Sequence, residues 1–288
     1  MPAAEDRPDS GIGAPVTGGR DLGPEVALLA EATLAAGQIA LGYFGNAPKA
    51  WTKTGDSPVT EADIAVDQLL KSRLRAARPD YGWLSEETVD TPDRLERHRL
   101  FVVDPIDGTR AFIGGDPRWA VSVAIVEGDR PIAAALYQPA VNDMMLAAAG
   151  RGAWRGVMQM AVLACDTITG ARLTAPRKFS VLESEAERLG IALQSPVPSL
   201  ALRIAHVANG TADAAFAFAR SHDWDLAAAD LILQEAGGRL TDIDGATLTY
   251  NRAVPRHPAL VAAGPGVYQA FKSLYGAILD KHTRSRGT

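Results

Sequence analysis

Cysteine is nearly missing from this chain of 288 residues. The single thiol, Cys165, excludes an internal disulfide framework and a zinc site built from several thiolates. One unpaired thiol suits a reducing compartment, so a cytoplasmic location is expected. Excess positive charge is missing too. The chain has 29 Lys and Arg against 34 Asp and Glu, a formal balance of −5, which speaks against a nucleic-acid polymer as partner. Residues 1–24 hold Gly, Pro and charge but no apolar core, so they read as a disordered tail and not as a secretory leader. No long run is apolar throughout. The best candidate, residues 26–44, is rich in Ala and carries Glu31 and Gln38, so it reads as a helix of a soluble domain and no membrane span is expected. No repeat of 20–50 residues is visible.

What is present is a globular composition: 47% hydrophobic and 22% charged residues, enough for a sizeable core. Apolar spacing predicts helices over 26–44, 60–78, 184–189, 199–209, 226–236 and 266–279. Apolar runs and alternation predict strands over 81–84, 100–103, 120–126, 132–137, 144–149, 212–219, 239–242 and 260–263. Residues 280–288 read as a solvated tail. Helices and strands mix throughout, which points to a layered α/β or α+β architecture. The expected division is a subdomain over 25–150 and a second over 151–288.

The acids fall in informative places. Asp104 and Asp107 follow the buried run LFVV within DPIDGT, a turn-forming sequence where the strand is expected to stop. Two close carboxylates repel unless a proton or a cation lies between them. With no Cys or His in the cluster, hard oxygen donors favour Mg²⁺, Mn²⁺ or Ca²⁺ over Zn²⁺. A solvated Asp-rich turn fits the same four residues. Glu86 and Glu87 end another strand and also read as an exposed acidic loop. Asp225 precedes a helix and also reads as its N-cap; Thr60 with Asp63 reads as a capping box. Cys165 lies outside every motif and reads as a small buried residue.

Taken together, SPVTEAD at 57–63, WLSEE at 83–87, DPIDGTRAF at 104–112 and WDLAAADLILQEAGG at 224–238 resemble the inositol monophosphatase superfamily of Mg²⁺-dependent, lithium-sensitive phosphomonoesterases. The resemblance implies a layered α-β-α-β-α sandwich. It implies two or three Mg²⁺ ions held by Glu86, Asp104, the Ile106 carbonyl, Asp107 and Asp225. Asp63, Glu86 and Thr109 take catalytic roles by the same resemblance, with Asp63 and Thr109 orienting and deprotonating the attacking water. Asp107, Gly108, Thr109 and Asp225 contact a small phosphorylated substrate, and a homodimer is compatible with it. Seven residues before the WD aspartate, inositol-specific members carry a hydroxyl-binding glutamate; this chain has Phe218, which cannot accept those bonds. The chain looks more like the bacterial 3′(2′),5′-bisphosphate nucleotidase branch, in which Phe218, Arg220 and His222 would line a nucleotide pocket. Inositol 1-phosphate and histidinol phosphate are the alternative substrates, and a regulatory member of the same fold is the non-enzymatic alternative.

Overall fold

The computed structural model describes residues 23–53, 58–176 and 180–286. The tail expected over 1–24 lies outside the described residues up to residue 22. Helix α1 (Pro24–Tyr43) opens on Pro24, whose missing N–H has no partner to lose at a first turn. It buries Val26, Leu29, Thr33, Ala36 and Ala40 along one stripe. Gly37 belongs to that stripe because a Cβ there would strike the Tyr137 ring. By length and composition alone α1 could cross a bilayer; in the fold its stripe is core, packed on the first sheet and the next long helix.

A hairpin of β1 (Ala50–Thr52) and β2 (Pro58–Thr60) follows, in a stretch whose polar sequence reads as irregular turn. Helix α2 (Glu61–Ala77) starts from the capping box that Thr60 and Asp63 promised. The first sheet then runs in chain order: β3 (Gly82–Ser85), β4 (Arg99–Asp107), β5 (Ala120–Glu127), β6 (Arg130–Gln138), β7 (Asp143–Ala148), β8 (Ala153–Arg155) and β9 (Met158–Gln159). The β3–β4 pair is parallel and the others are antiparallel. A one-turn helix, α3 (Thr109–Ile113), leaves the end of β4.

The second half alternates β10 (Arg172–Thr174), α4 (Ser180–Leu189), β11 (Ala192–Leu193), α5 (Leu200–Ala208), β12 (Ala214–Ala217), α6 (Asp223–Glu235), β13 (Arg239–Asp242), β14 (Leu260–Ala263) and α7 (Pro265–Arg286). Its strands form a five-stranded sheet in the order β11-β10-β12-β14-β13.

Alternation along the strands builds the layers. On β4, Phe101 and Val103 face α1 and α2, while Leu100 and Val102 face α5 and α6. The opposite face of α5 and α6 meets Ala215, Ala217, Leu260 and Ala262 of the second sheet. The far face of that sheet, with Phe216 and Val261, is covered by α4 and by Phe271, Tyr275 and Ile278 of α7. The result is the expected α-β-α-β-α sandwich.

Four local expectations need correction. First, β4 does not stop before DPIDGT. It continues to Asp107, with Asp104 opposite Ser122, Asp107 opposite Ala120, and a bulge between. Pro105 is tolerated because the ladder is broken where its N–H would be needed. Second, α6 begins at Asp223 rather than Leu226, so Asp225 is the third residue of the helix and His222 is the N-cap. Third, α7 continues to Arg286, so residues 280–286 extend a helix instead of forming a tail. Fourth, Cys165 is only partly buried, its thiol donating to the Thr167 carbonyl at 3.2 Å.

Candidate active site

Four elements end at one place. The β4 bulge delivers Asp104 and Asp107, and the first turn of α6 delivers Asp225. One carboxylate oxygen from each lies within 4.8 Å of those of the other two. Glu86 joins them because β3 runs parallel to β4, and the Glu86 N–H extends that pairing to the Val103 carbonyl at 3.2 Å. Asp63, at the start of α2, supplies the floor. Its Oδ2 accepts the Thr60 N–H at 2.8 Å and the Thr60 hydroxyl at 2.6 Å. The Thr109 hydroxyl stands 3.1 Å from the Ile106 carbonyl and 3.5 Å from Asp63 Oδ1. Gly108 caps α3 with φ 96°, a left-handed conformation that glycine adopts without strain. The peptide thereby turns sharply enough to bring Thr109 back over Ile106.

The surroundings hold the acids in place. Asp104 Oδ1 accepts the Ile106 N–H at 3.0 Å. Asp107 is seated on the N-terminus of α5, accepting from the Ser199 hydroxyl at 2.5 Å and the N–H groups of Ala201 at 2.6 Å and Leu200 at 3.2 Å. Asp225 Oδ2 accepts the His222 N–H at 2.6 Å. Glu86 and Glu87 are not an exposed loop: Lys53 donates to both, at 3.0 and 2.7 Å.

Burial and mutual repulsion set the protonation of this cluster. Burial, then the charges of Glu86, Asp107, Asp225 and Asp63, push the Asp104 carboxyl well above its usual range. Burial and the Asp225 charge raise Asp107 to about 7, against the pull of its Ser199, Ala201 and Leu200 donors. Burial raises Asp63 and Glu86, the latter also repelled by Asp225 and relieved by Lys53. Acids that resist ionisation because they face one another in a dry site are what a divalent cation relieves. The converging donors Asp104, Asp107 and Asp225 are hard carboxylate oxygens, so the residues present fit such an ion.

Of the three residues expected to line a nucleotide pocket, His222 lies directly against the cluster, its Nδ1 3.8 Å from Asp225 Oδ2. Its ring stacks flat on Trp224 at 4.4 Å. Phe218 lies just past β12 and is 37% exposed. Arg220, at φ 89°, donates its N–H to the His257 carbonyl. Sequence reasoning did not identify Lys53, Ser199 or the buried Arg203, which donates to the Val197 and Phe216 carbonyls behind Asp107. Ser199 was legible as a helix start, but nothing local tied that start to an aspartate 92 residues away.

The sequence model of the inositol monophosphatase family matches residues 24–282. A histidinol-phosphatase of Mycobacterium tuberculosis is 37% identical over 205 residues, covering 67% of this chain and 77% of that protein. A 3′(2′),5′-bisphosphate nucleotidase CysQ of Salmonella typhimurium is 32% identical over 215 residues, covering 72% of this chain and 86% of that protein. A solved Thermotoga maritima IMPase superposes with a TM-score of 0.78 at 24% identity, covering 87% of this chain and 96% of that one.

Proposed function

The chain belongs to the inositol monophosphatase family of metal-dependent phosphomonoesterases, and from that premise we propose that it is a 3′(2′),5′-bisphosphate nucleotidase converting 3′-phosphoadenosine 5′-phosphate to AMP and phosphate. Two or three Mg²⁺ ions would be held by Glu86, Asp104, the Ile106 carbonyl, Asp107 and Asp225. When bound, such ions neutralise phosphate charge, make water more acidic and stabilise the leaving oxygen. The chain's own groups do the rest. Asp63, buried and more basic than an ordinary carboxylate, takes the proton of the attacking water, and the Thr109 hydroxyl orients that water. The Gly108 and Thr109 N–H groups at the start of α3 hold phosphate oxygens. Ser199 and the first turn of α5 keep Asp107 aimed at the site. A cytoplasmic location and a homodimer accompany this reading.

The observation that carries the substrate choice is Phe218, an apolar group where a hydroxyl-binding carboxylate would serve inositol. Its partly exposed ring can pack against a purine, with Arg220 two residues on as an anion partner. The 37% identity to a histidinol-phosphatase favours histidinol phosphate as a second reading. Phosphate release from 3′-phosphoadenosine 5′-phosphate, inositol 1-phosphate and histidinol phosphate, with Mg²⁺ and full-length protein, tests the choice. The nucleotide should give the highest kcat/KM. Inositol 1-phosphate or histidinol phosphate turned over about tenfold more efficiently would replace it.

A further inference from the structure

The first turn of α6 is clasped by the segment over residues 251–257. The Asn251 N–H donates to Asp223 Oδ2 at 2.7 Å, and the Asp223 N–H donates to the Pro255 carbonyl at 3.2 Å. His222 and Arg256 form an antiparallel bridge, flanked by bonds from the Arg220 N–H to the His257 carbonyl and from the His257 N–H to the Ser221 carbonyl. The ring of His257 locks the clasp, its Nε2 2.7 Å from Asp223 Oδ1 with both side chains buried. The backbone of Arg256 is therefore fixed relative to Asp225, two residues beyond Asp223 on the same helical turn.

From that platform Arg256 reaches toward the site. Its Nε donates to His222 Nε2 at 3.0 Å. The other ring nitrogen of His222, Nδ1, lies 3.8 Å from Asp225 Oδ2. Guanidinium, imidazole and carboxylate thus form a chain from the rim to the acidic cluster. The bond to His222 uses one of five guanidinium N–H groups. Among the described residues no carboxylate pairs with Arg256, and its side chain is exposed. Arg220 and Arg252 lie on the same clasp, and Arg252 donates to the Arg256 carbonyl. Three arginines, Arg220, Arg252 and Arg256, thus fall on the clasp or bond to it in a chain whose net charge is −5.

We propose that Arg256, in addition to Arg220, reads a second anionic group on the substrate, the group that separates a nucleoside bisphosphate from a monophosphate ester. This rests on the nucleotidase reading above. The reacting phosphate would be held at the acidic cluster by the cations those carboxylates bind, and the guanidinium of Arg256 lies one imidazole away from Asp225. The planar fork of a guanidinium matches a phosphate in two parallel hydrogen bonds. The same positive rim disfavours a substrate whose second group is an ammonium, as in histidinol phosphate.

The test compares 3′-phosphoadenosine 5′-phosphate with 3′-AMP, which has the same scissile ester and lacks the second phosphate. Both are measured with the Mg²⁺-loaded wild type, Arg256→Ala and Arg256→Lys. In the wild type kcat/KM should favour the bisphosphate. In Arg256→Ala that preference should fall by about tenfold or more, through KM for the bisphosphate, as expected for losing one charged hydrogen-bonded contact. Arg256→Lys should recover part of it. A purely structural role would lower both substrates together and leave their ratio unchanged, and that result overturns the proposal. A wild type that hydrolyses both with equal efficiency also overturns it while leaving the nucleotidase reading standing. A wild type inactive on the bisphosphate overturns the nucleotidase reading and this inference with it.

Discussion

Each acid of the site depends on one or two neighbours that hold it, and Ser199 is the clearest case. Its hydroxyl donates to Asp107 and accepts the Leu202 N–H, so one group caps α5 and seats a candidate metal ligand. Ser199→Ala should cost about 1 kcal/mol as a lost cap. It should also weaken Mg²⁺ binding by about tenfold or more, the usual effect of removing a partner that orients a ligand. Urea denaturation in EDTA measures the first and titration calorimetry the second; unchanged Mg²⁺ affinity would show that the α5 N–H groups orient Asp107 unaided. Asp104 and Asp107 were legible in the sequence as neighbouring carboxylates, and Glu86 and Asp225 joined them through the resemblance of their motifs to the family. Lys53 and Ser199 were not legible. They reach the site through the β1–β2 hairpin and through α5, contacts that no local pattern announces.

At the scale of elements, the site exists because β4 does not end where its sequence suggests. Asp, Pro and Gly signal a turn, but pairing with β5 absorbs Pro105 and Ile106 as a bulge, turning both aspartates to one place. The start of α6 was misread for a related reason. Asp225 is a favourable N-cap residue in isolation, whereas in the fold His222 takes that position and Asp225 accepts its N–H. What holds this turn is Asp223, buried and bonded to His257 and to the Asn251 N–H. His257→Ala leaves a buried carboxyl without its side-chain partner, and should cost roughly 2–5 kcal/mol. Urea unfolding with Mg²⁺ absent checks this. A loss below about 0.5 kcal/mol, the range of ordinary surface substitutions, would mean that the clasp does not support α6.

Across the whole molecule, the individual elements were legible because each strand run and helix stripe is apolar at its own period, while their layer order followed from the family resemblance. The meeting of both sheets on α5 and α6 was not legible, since these helices are apolar on nearly all sides and do not declare which sheet they serve. The same whole-molecule packing forces five carboxylates into one dry region, and stability should record it. Without metal, Asp107 titrates near 7 when folded against 3.8 as the ordinary value, so the folded chain holds more protons across that window. Stability contributed by the protonated form is present below that window and is lost as pH rises through about 7. In EDTA, Tm should therefore fall between pH 5 and pH 8, and saturating Mg²⁺ should flatten or reverse the trend because it binds the ionised acids. An EDTA-treated protein whose Tm rises over that range would contradict the electrostatic account. The most direct test of the central claim is phosphate release from 3′-phosphoadenosine 5′-phosphate by wild type and by Asp104→Asn, each with Mg²⁺ and with EDTA. Wild type should be active with Mg²⁺, silent in EDTA and restored by added Mg²⁺, and Asp104→Asn should lose about 10³-fold or more. Full activity in EDTA, or in Asp104→Asn, would contradict it.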